Sequence, residues 1–198
     1  MEVEILTTCV KEFTADWNEN YYAAGTAVVE DITVRRFPVR RRDTQAFDRV
    51  NRKLMDGKQI SPKEEQIFVE EMVNSPQLYE YMRDAQDEYG LYVFIPYMFG
   101  TTYYGMQVCP EKSVLIPCFH DEAYVYMRLF RQAYVKARGM IYNAMPEMEL
   151  ANRVYDFTTT EQICMGIGMD TKIQSDADAF RKQFGIDKPF ILYAGRKD

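Results

Sequence analysis

The fold is decided by the stretch Ser113–Tyr155, SVLIPCFHDEAYVYMRLFRQAYVKARGMIYNAMPEMELANRVY. Its first part, Ser113–Phe119, predicts a buried strand that is covered on both faces. A long amphipathic helix is predicted over Asp121–Arg138, then a second strand over Gly139–Ala144 and a second helix over Pro146–Tyr155. Strands separated by helices require crossover connections, so we expect a doubly wound, mostly parallel, Rossmann-like α/β sheet with helices on both faces.

The same alternation continues on both sides of this stretch. Upstream, Leu91–Pro96 (LYVFIP) has no polar residue and predicts another strand of the buried kind. Downstream, the pattern predicts a strand, a helix and a final strand at Ile163–Gly168, Ser175–Phe184 and Pro189–Ala194.

The N-terminal part of the chain predicts two strands and a helical segment. Glu2–Thr8 and Asp31–Pro38 show the alternation of strands. Ser61-Pro62-Lys63-Glu64 is typical of a helix start, with a serine cap, a proline in the first turn and a glutamate three residues after the cap. We therefore expect a helical insertion at about 43–88 rather than a second domain. The predicted helix starts are Asp43, Ser61 and Ser75.

The composition excludes several classes of protein. The chain has 198 residues, 47% of them hydrophobic, which is enough apolar material to form a core and excludes wholesale disorder. No run of about 18 apolar residues occurs that would span a membrane. Thirty acidic and 24 basic side chains leave a net charge of −6, which disfavours the surface as a nucleic-acid interface. The four scattered cysteines and one histidine form no familiar zinc pattern, so we expect buried thiols in a reducing compartment, the cytoplasm.

Candidate binding residues follow the strands of the predicted sheet, because such sheets bind ligands beyond the carboxyl ends of their strands. His120, the only histidine, follows a buried strand and precedes Asp121 and Glu122, and Asn143 follows the next strand. An imidazole there could hydrogen-bond a ligand. Equally, it could bond only a backbone carbonyl while the two carboxylates stabilise the start of the following helix.

Three further segments have both a binding and a structural interpretation. The aromatic loop Tyr97–Tyr104 could stack on sugar rings or pack under the adjacent helix. Gly166-Ile167-Gly168 lacks the third glycine of a dinucleotide-binding loop, which favours a tight turn at the end of a strand. The basic run Arg35–Arg42 could contact phosphate or an anionic lipid surface, although a solvated face is favoured.

The last residues of the chain carry one more candidate. Gly195-Arg196-Lys197 directly follows the predicted strand Pro189–Ala194. A guanidinium after a tight turn can bond two phosphate oxygens at once, so Arg196 is a candidate phosphate ligand. The alternative is a charged tail.

Taken in order, these motifs resemble the second half of the N-terminal domain of a GT-B glycosyltransferase of family 4 (group 1). The resemblance rests on the strand that ends in His120-Asp121-Glu122, the following strand with NAMPE, the strand end GIGMD and the terminal YAGR. It covers most of the chain. Each motif is short, but their order and spacing together are fairly specific.

The resemblance implies a retaining, hexosyltransferase-like enzyme of polysaccharide biosynthesis. It would move a sugar from a nucleoside-diphosphate donor to a saccharide or lipid-linked acceptor, with no cofactor or metal and no nucleic acid as partner. It would be cytoplasmic, with peripheral contact to the inner face of the membrane left open. His120 then matches the catalytic histidine at the donor sugar, and Arg196 the residue that binds the donor diphosphate. The acceptor-side candidates are Tyr97, Thr101, Thr102, Asp121, Glu122 and Asn143.

The resemblance is incomplete at both ends. The first strand, glycine loop and helix of the family have no counterpart before Glu2–Thr8, and the lysine and paired glutamates of the donor-binding domain would lie beyond Asp198. We therefore expect residues 1–185 to be a truncated N-terminal domain that is inactive alone. Residues 186–198 would be a linker and the first strand of the missing C-terminal domain.

Two other classes of function stay open. A non-catalytic α/β module that binds a sugar or a partner protein would fit the incomplete catalytic set. A nucleotide-dependent epimerase or methyltransferase is a weaker alternative, because it requires a glycine-rich first turn that this sequence lacks.

Overall fold

The computed structural model describes residues 2–168, 171–172 and 174–193. The chain divides into two compact units, Met1–Gly166 and Ile167–Asp198. This division falls after Gly166, whereas the sequence predicted a boundary between residues 185 and 186.

The first three strands form a small sheet of their own. β1 (Glu4–Thr8) pairs in parallel with β3 (Ile32–Phe37), and β2 (Gly25–Val29) pairs antiparallel with the other edge of β3. β2 is a strand that the sequence did not predict. Its turn to β3, Glu30 and Asp31, has φ values of 49° and 63°, the left-handed values of a two-residue hairpin, without the glycine that usually marks one.

The predicted helical insertion contains three helices: α1 (Thr44–Met55), α2 (Pro62–Glu71) and α3 (Pro76–Asp84). They begin directly after the three predicted cap residues. The Asp43 side chain accepts a hydrogen bond from the N–H of Ala46 at 2.9 Å, and Ser61 and Glu64 form a reciprocal capping box. Ser75 makes no side-chain cap bond, and α3 starts there with Pro76 in its first turn.

The central sheet of the first unit consists of four parallel strands: β4 (Tyr92–Phe94), β5 (Ser113–Leu115), β6 (Gly139–Tyr142) and β7 (Glu161–Cys164). They lie in the order β4-β5-β6-β7. This sheet and its flanking helices confirm the Rossmann-like α/β class. β4 and β5 are shorter than predicted, since Pro96 and Pro117 lack the N–H that a longer ladder would need.

The core of the first unit is rich in aromatic side chains. Phe68 of α2 and Leu115 of β5 have no solvent exposure, and neither do Phe130 and Tyr134. The rings of Phe130 and Tyr134 stack with their centres 5.3 Å apart. Burial of rings of this size is a main source of stability in a domain of this kind.

The aromatic stretch Tyr97–Tyr104, predicted as a loop, contains a short helix, α4 (Gly100–Gly105). The helix packs directly against the backbone of α2 and of the segment that follows it. A Cβ atom at Gly100 would lie 2.6 Å from the carbonyl oxygen of Val69 and 2.8 Å from that of Val73. The glycine therefore permits a helix contact that no other residue allows without movement of the backbone.

The prediction of one long helix over Asp121–Arg138 is wrong. The structure has a 3₁₀ turn at Ala123–Tyr126, followed by α5 (Arg128–Tyr134). The break has a tertiary cause. The buried carboxylate of Glu65 in α2 accepts the N–H groups of Arg128 (2.8 Å) and Leu129 (3.0 Å), which a continuous helix would donate to its own preceding turn. The hydroxyl of Tyr155 meanwhile donates to the carbonyl of Val125 at 3.1 Å.

Two helices complete the described chain, α6 (Met145–Val154) in the first unit and α7 (Ala177–Phe184) in the second, and both were predicted. Residues 189–193 do not form the strand predicted at Pro189–Ala194, and Ala194 lies outside the described residues. The ring of Phe190 instead stacks on that of Phe180, with centres 5.9 Å apart. None of the helices in the described ranges is long and apolar enough to cross a membrane.

Candidate functional site

The carboxyl end of the parallel sheet holds the segments that follow β4 and β5 side by side. The N–H of Ile116 donates to the carbonyl of Phe94 at 2.9 Å, and the N–H of Tyr97 donates to the carbonyl of Pro117 at 3.0 Å. These two bonds extend the pairing beyond the ends of the strands. They place the segment that leads to His120 at the edge where α/β sheets bind ligands.

A buried carboxylate joins the ends of β5 and β6. Glu147, in the first turn of α6, is 8% exposed. Its Oε1 accepts the N–H of Phe119 and its Oε2 accepts the N–H of Asn143, both at 2.8 Å. Hydrogen bonds to a carboxylate are stronger than those between neutral groups, so Glu147 fixes the backbone immediately before His120. The sequence places Glu147 in the NAMPE motif, after the strand predicted at Gly139–Ala144, but predicts no role for its carboxylate.

Cys118 and Asn143 contact each other across the same two strand ends. Cys118 has a left-handed backbone with φ of 56°, and its Sγ accepts a hydrogen bond from Asn143 Nδ2 at 3.5 Å. Burial raises the pKa of the Cys118 thiol, and the Asn143 amide only partly opposes that shift. The thiol is therefore protonated near neutral pH and is not an activated nucleophile. Asn143 Oδ1 has no hydrogen-bond partner among the described residues.

His120 is exposed at this edge, one residue after the amide that Glu147 holds. Its carbonyl accepts the N–H of Glu122 at 2.9 Å. Its imidazole has no hydrogen bond to any of the described residues. Of the two interpretations that the sequence left open, the structure does not contain the bond from the imidazole to a backbone carbonyl; the ring is open to a ligand.

The sequence predicted that the two acidic residues after His120 start a long α-helix. The structure instead has only the short 3₁₀ turn Ala123–Tyr126 directly after Glu122. Asp121 is exposed, and its Oδ1 accepts the hydroxyl of Tyr126 at 2.6 Å while its Oδ2 lies 3.7 Å from Nη2 of Arg153. Glu122 accepts the hydroxyl of the buried Tyr97 through Oε1 at 3.1 Å. Asp121 therefore stays beside His120 at the surface, whereas Glu122 anchors a core tyrosine.

The aromatic candidates for the acceptor side lie mostly in the core. Tyr97 has no solvent exposure, and its carbonyl accepts the hydroxyl of Tyr134. Burial raises the pKa of Tyr97 far above its usual range. Thr102 is 3% exposed and donates to the carbonyl of Pro96 at 2.7 Å. These placements do not support an acceptor role for Tyr97 or Thr102, while Thr101 is half-buried on α4.

The other sequence motifs have structural roles where the structure describes them. Gly166 has φ of 76°, a left-handed value typical of a turn, and its N–H donates to the carbonyl of Tyr142 in the neighbouring strand β6 at 3.4 Å. Met169 and Asp170 of the GIGMD motif lie outside the described residues, as does Arg196. In residues 2–168, 171–172 and 174–193, no group of three or more acidic, histidine or cysteine side chains could hold a metal ion.

The sequence favoured a solvated face for the basic run Arg35–Arg42. In the structure most of these arginines instead contact other residues of the protein. Nε of Arg35 bonds Oε1 of Glu4 at 2.9 Å, and Nη2 of Arg40 lies 3.1 Å from Oε2 of Glu71. The guanidinium of Arg42 packs against the adjacent rings of Trp17 and Phe47, and burial lowers its pKa. The run therefore links β3 to β1 and the segment after β3 to the end of α2.

Two surface grooves lie beside α5. They have volumes of about 580 and 520 Å³, and both are lined by Arg128 and Arg131 of α5. Neither of these two grooves includes His120, which is exposed.

No protein-family model matches this chain, and neither a curated protein nor a solved structure is significantly similar to it.

Proposed function

We propose that this chain is the acceptor-side part of a retaining glycosyltransferase, which moves a sugar from a nucleoside-diphosphate donor to a saccharide or lipid-linked acceptor. The observation that carries the proposal is the exposed imidazole of His120 at the carboxyl end of β5, an inner strand of a parallel sheet. Ligands of open α/β sheets bind beyond the carboxyl ends of the strands, the side of the sheet on which His120 lies.

The groups around His120 match the chemistry of a sugar. The imidazole of His120, the carboxylate of Asp121 and Oδ1 of Asn143 are hydrogen-bonding groups on the two segments that Glu147 joins, and together they could bind neighbouring sugar hydroxyls. Glu147 acts as a positioning residue, because it fixes the backbone on both sides of this cluster. A rigid frame is required when a bound sugar must be aligned for reaction.

In the transfer, the bond between the anomeric carbon and the diphosphate oxygen breaks, and a bond from that carbon to the acceptor hydroxyl oxygen forms. The hydroxyl proton leaves with the nucleoside diphosphate. Negative charge grows on the diphosphate as it departs, and a fixed guanidinium would stabilise it, which is the role proposed for Arg196. His120 would hold the donor sugar beside the acceptor.

The test measures release of nucleoside diphosphate from a panel of nucleotide sugars by the full-length protein. We expect His120→Ala to lower turnover by about 100-fold or more, a typical effect for a group at the reacting centre, with an unchanged fold. The matched control is Lys63→Ala, an exposed position on α2, which should keep the wild-type rate. A wild-type rate in the His120 variant would refute the proposal.

A non-catalytic module that binds a sugar is the second candidate. The buried positions of Tyr97 and Thr102 favour it, because they leave a hydrogen-bonding cluster without the predicted acceptor side. This candidate predicts that saccharides shift the NMR signals of His120 and Asn143 while no nucleotide sugar is turned over. Turnover that depends on His120 would exclude it.

A further inference from the structure

The outer edge of the small N-terminal sheet is an exposed surface that the proposed function does not use. β2 is the outer strand in the order β1-β3-β2, and all of its residues are exposed, with Val28 at 70%. The strand GTAVV contains no charge and no proline. Natural edge strands use lysine, proline or bulges to prevent pairing with another chain, and β2 has neither of the first two.

The hairpin register fixes which backbone groups of β2 are free. Val29 faces Ile32 across the two-residue turn and forms the closing pair of the hairpin. Hydrogen-bonded and non-bonded pairs alternate along an antiparallel ladder. Val29 and every second residue before it therefore bond to β3, whereas Thr26 and Val28 direct their N–H and C=O groups away from the sheet.

We propose that β2 pairs antiparallel with β2 of a second copy of this chain, about a two-fold axis at Ala27. Thr26 then lies opposite Val28 of the second copy, and the two residues exchange N–H to C=O hydrogen bonds. The two-fold axis repeats both bonds, as in any isologous interface. The two three-stranded sheets become one continuous sheet.

The charges at the ends of β2 fit the antiparallel arrangement. Glu30 and Asp31 lie at one end. Arg36 faces Gly25 at the other end, with its guanidinium 4.7 Å from the centre of the Tyr22 ring. Antiparallel pairing brings the acidic end of each copy beside the basic end of the other, whereas parallel pairing would bring like charges together. This complementarity selects a second copy as the partner.

One face of the sheet also gains apolar cover in the dimer. Ile5 and Ala27 both lie opposite Val34 and so share a face, on which Val29 and Ile32 follow by alternation. Ile5, Val29 and Ile32 are 43%, 44% and 38% exposed. Joining two such faces at Ala27 makes them continuous and shields the apolar groups nearest the axis.

The test measures the solution mass by sedimentation equilibrium over a range of protein concentrations. Val28→Pro removes an outward N–H and leaves the β2–β3 ladder intact, because that N–H takes no part in it. We expect this variant to raise the dimer dissociation constant about tenfold or more, since the two-fold axis doubles the loss. The matched control, Val28→Thr, keeps the N–H and the β-branched shape and should dimerise within about twofold of wild type.

Hydrogen exchange on the wild-type protein provides a second measurement that needs no variant. The amides of Thr26 and Val28 should exchange more slowly as concentration rises, because only the dimer protects them. Reversing the acidic end with Glu30→Arg should weaken the dimer as well. A wild-type monomer at every concentration, a Val28→Pro dimer as stable as wild type, or concentration-independent exchange at these amides would each overturn the proposal. None of these outcomes depends on glycosyltransferase activity.

Discussion

The carboxylate of Glu147 accepts backbone N–H groups after two neighbouring strands, β5 and β6. Its removal should therefore lower the stability of the protein. In Glu147→Ala the N–H groups of Phe119 and Asn143 lose their acceptors, and that of Phe119 lies in a buried residue. We expect the free energy of unfolding, measured in urea, to fall by about 2–4 kcal/mol. Glu149→Ala, an exposed position on the same helix, should change it by less than about 0.5 kcal/mol. Equal losses in the two variants would contradict the role given to Glu147.

Glu64 links stability to pH at the start of α2. The hydrogen bond from Lys53, at 2.5 Å, and those from Ser61 lower the pKa of Glu64 to about 2. A depressed pKa means that the carboxylate stabilises the folded state above the unfolded pKa of about 4.3. That contribution is lost as pH falls from there toward about 2.

The corresponding experiment follows the side-chain carboxyl signal of Glu64 by NMR during acid titration. In Lys53→Met we expect the pKa to rise toward its ordinary value, since the largest cause of the shift is gone. Lys63→Met, on the neighbouring exposed lysine, should leave it near 2. An unchanged midpoint in the Lys53 variant would mean that Ser61 alone causes the shift.

At the scale of elements, α4 depends on a residue that has no side chain. Gly100→Ala places a Cβ atom against the carbonyls of Val69 and Val73, so α4 and α2 must separate. We expect a loss of about 1–3 kcal/mol in unfolding free energy, the usual cost of overpacking. Thermal or urea unfolding measures it.

Gly90→Ala is the control for that substitution, because a Cβ atom there meets nothing within 4 Å and the backbone is not left-handed. It should be neutral or slightly stabilising. If both alanine variants unfold at the same urea concentration as wild type, the contact at Gly100 is looser than the distances of 2.6 and 2.8 Å indicate.

The starts of helices were predictable because they depend on residues within one turn. The break within the apolar stripe over Asp121–Arg138 was not, because it depends on a distant residue. Ser61 and Glu64 satisfy each other within one turn, so four letters of sequence are sufficient to predict α2. The stripe over Asp121–Arg138 has helical spacing throughout, but a carboxylate from another helix interrupts it. β2 was missed for a related reason: its turn, Glu30-Asp31, adopts left-handed φ without the glycine or asparagine that would mark it.

For the molecule as a whole, the alternation of strands and helices was sufficient to predict the α/β class and the parallel sheet. It did not predict that β1 and β3 pair apart from that sheet, because pairing across a helical insertion is not encoded in local pattern. The sequence placed His120 directly after a strand ending at Phe119, whereas β5 ends at Leu115 and His120 lies five residues beyond it. The burial of Tyr97 and Thr102 was not predicted, because it depends on how α4 packs.

The carboxylate of Glu65 also has a consequence for the order in which the chain folds. The N–H groups it accepts, those of Arg128 and Leu129, lie 63 and 64 residues further along the chain. The first turn of α5 thus gains its native acceptor only after α2 has docked, and the break before it cannot form from local sequence alone. Contacts between residues so far apart in the chain form more slowly than the contacts within a helix, so they slow folding relative to a simple helical bundle. Until the contacts with Glu65 form, the segment is free to extend as the single helix that its apolar stripe specifies.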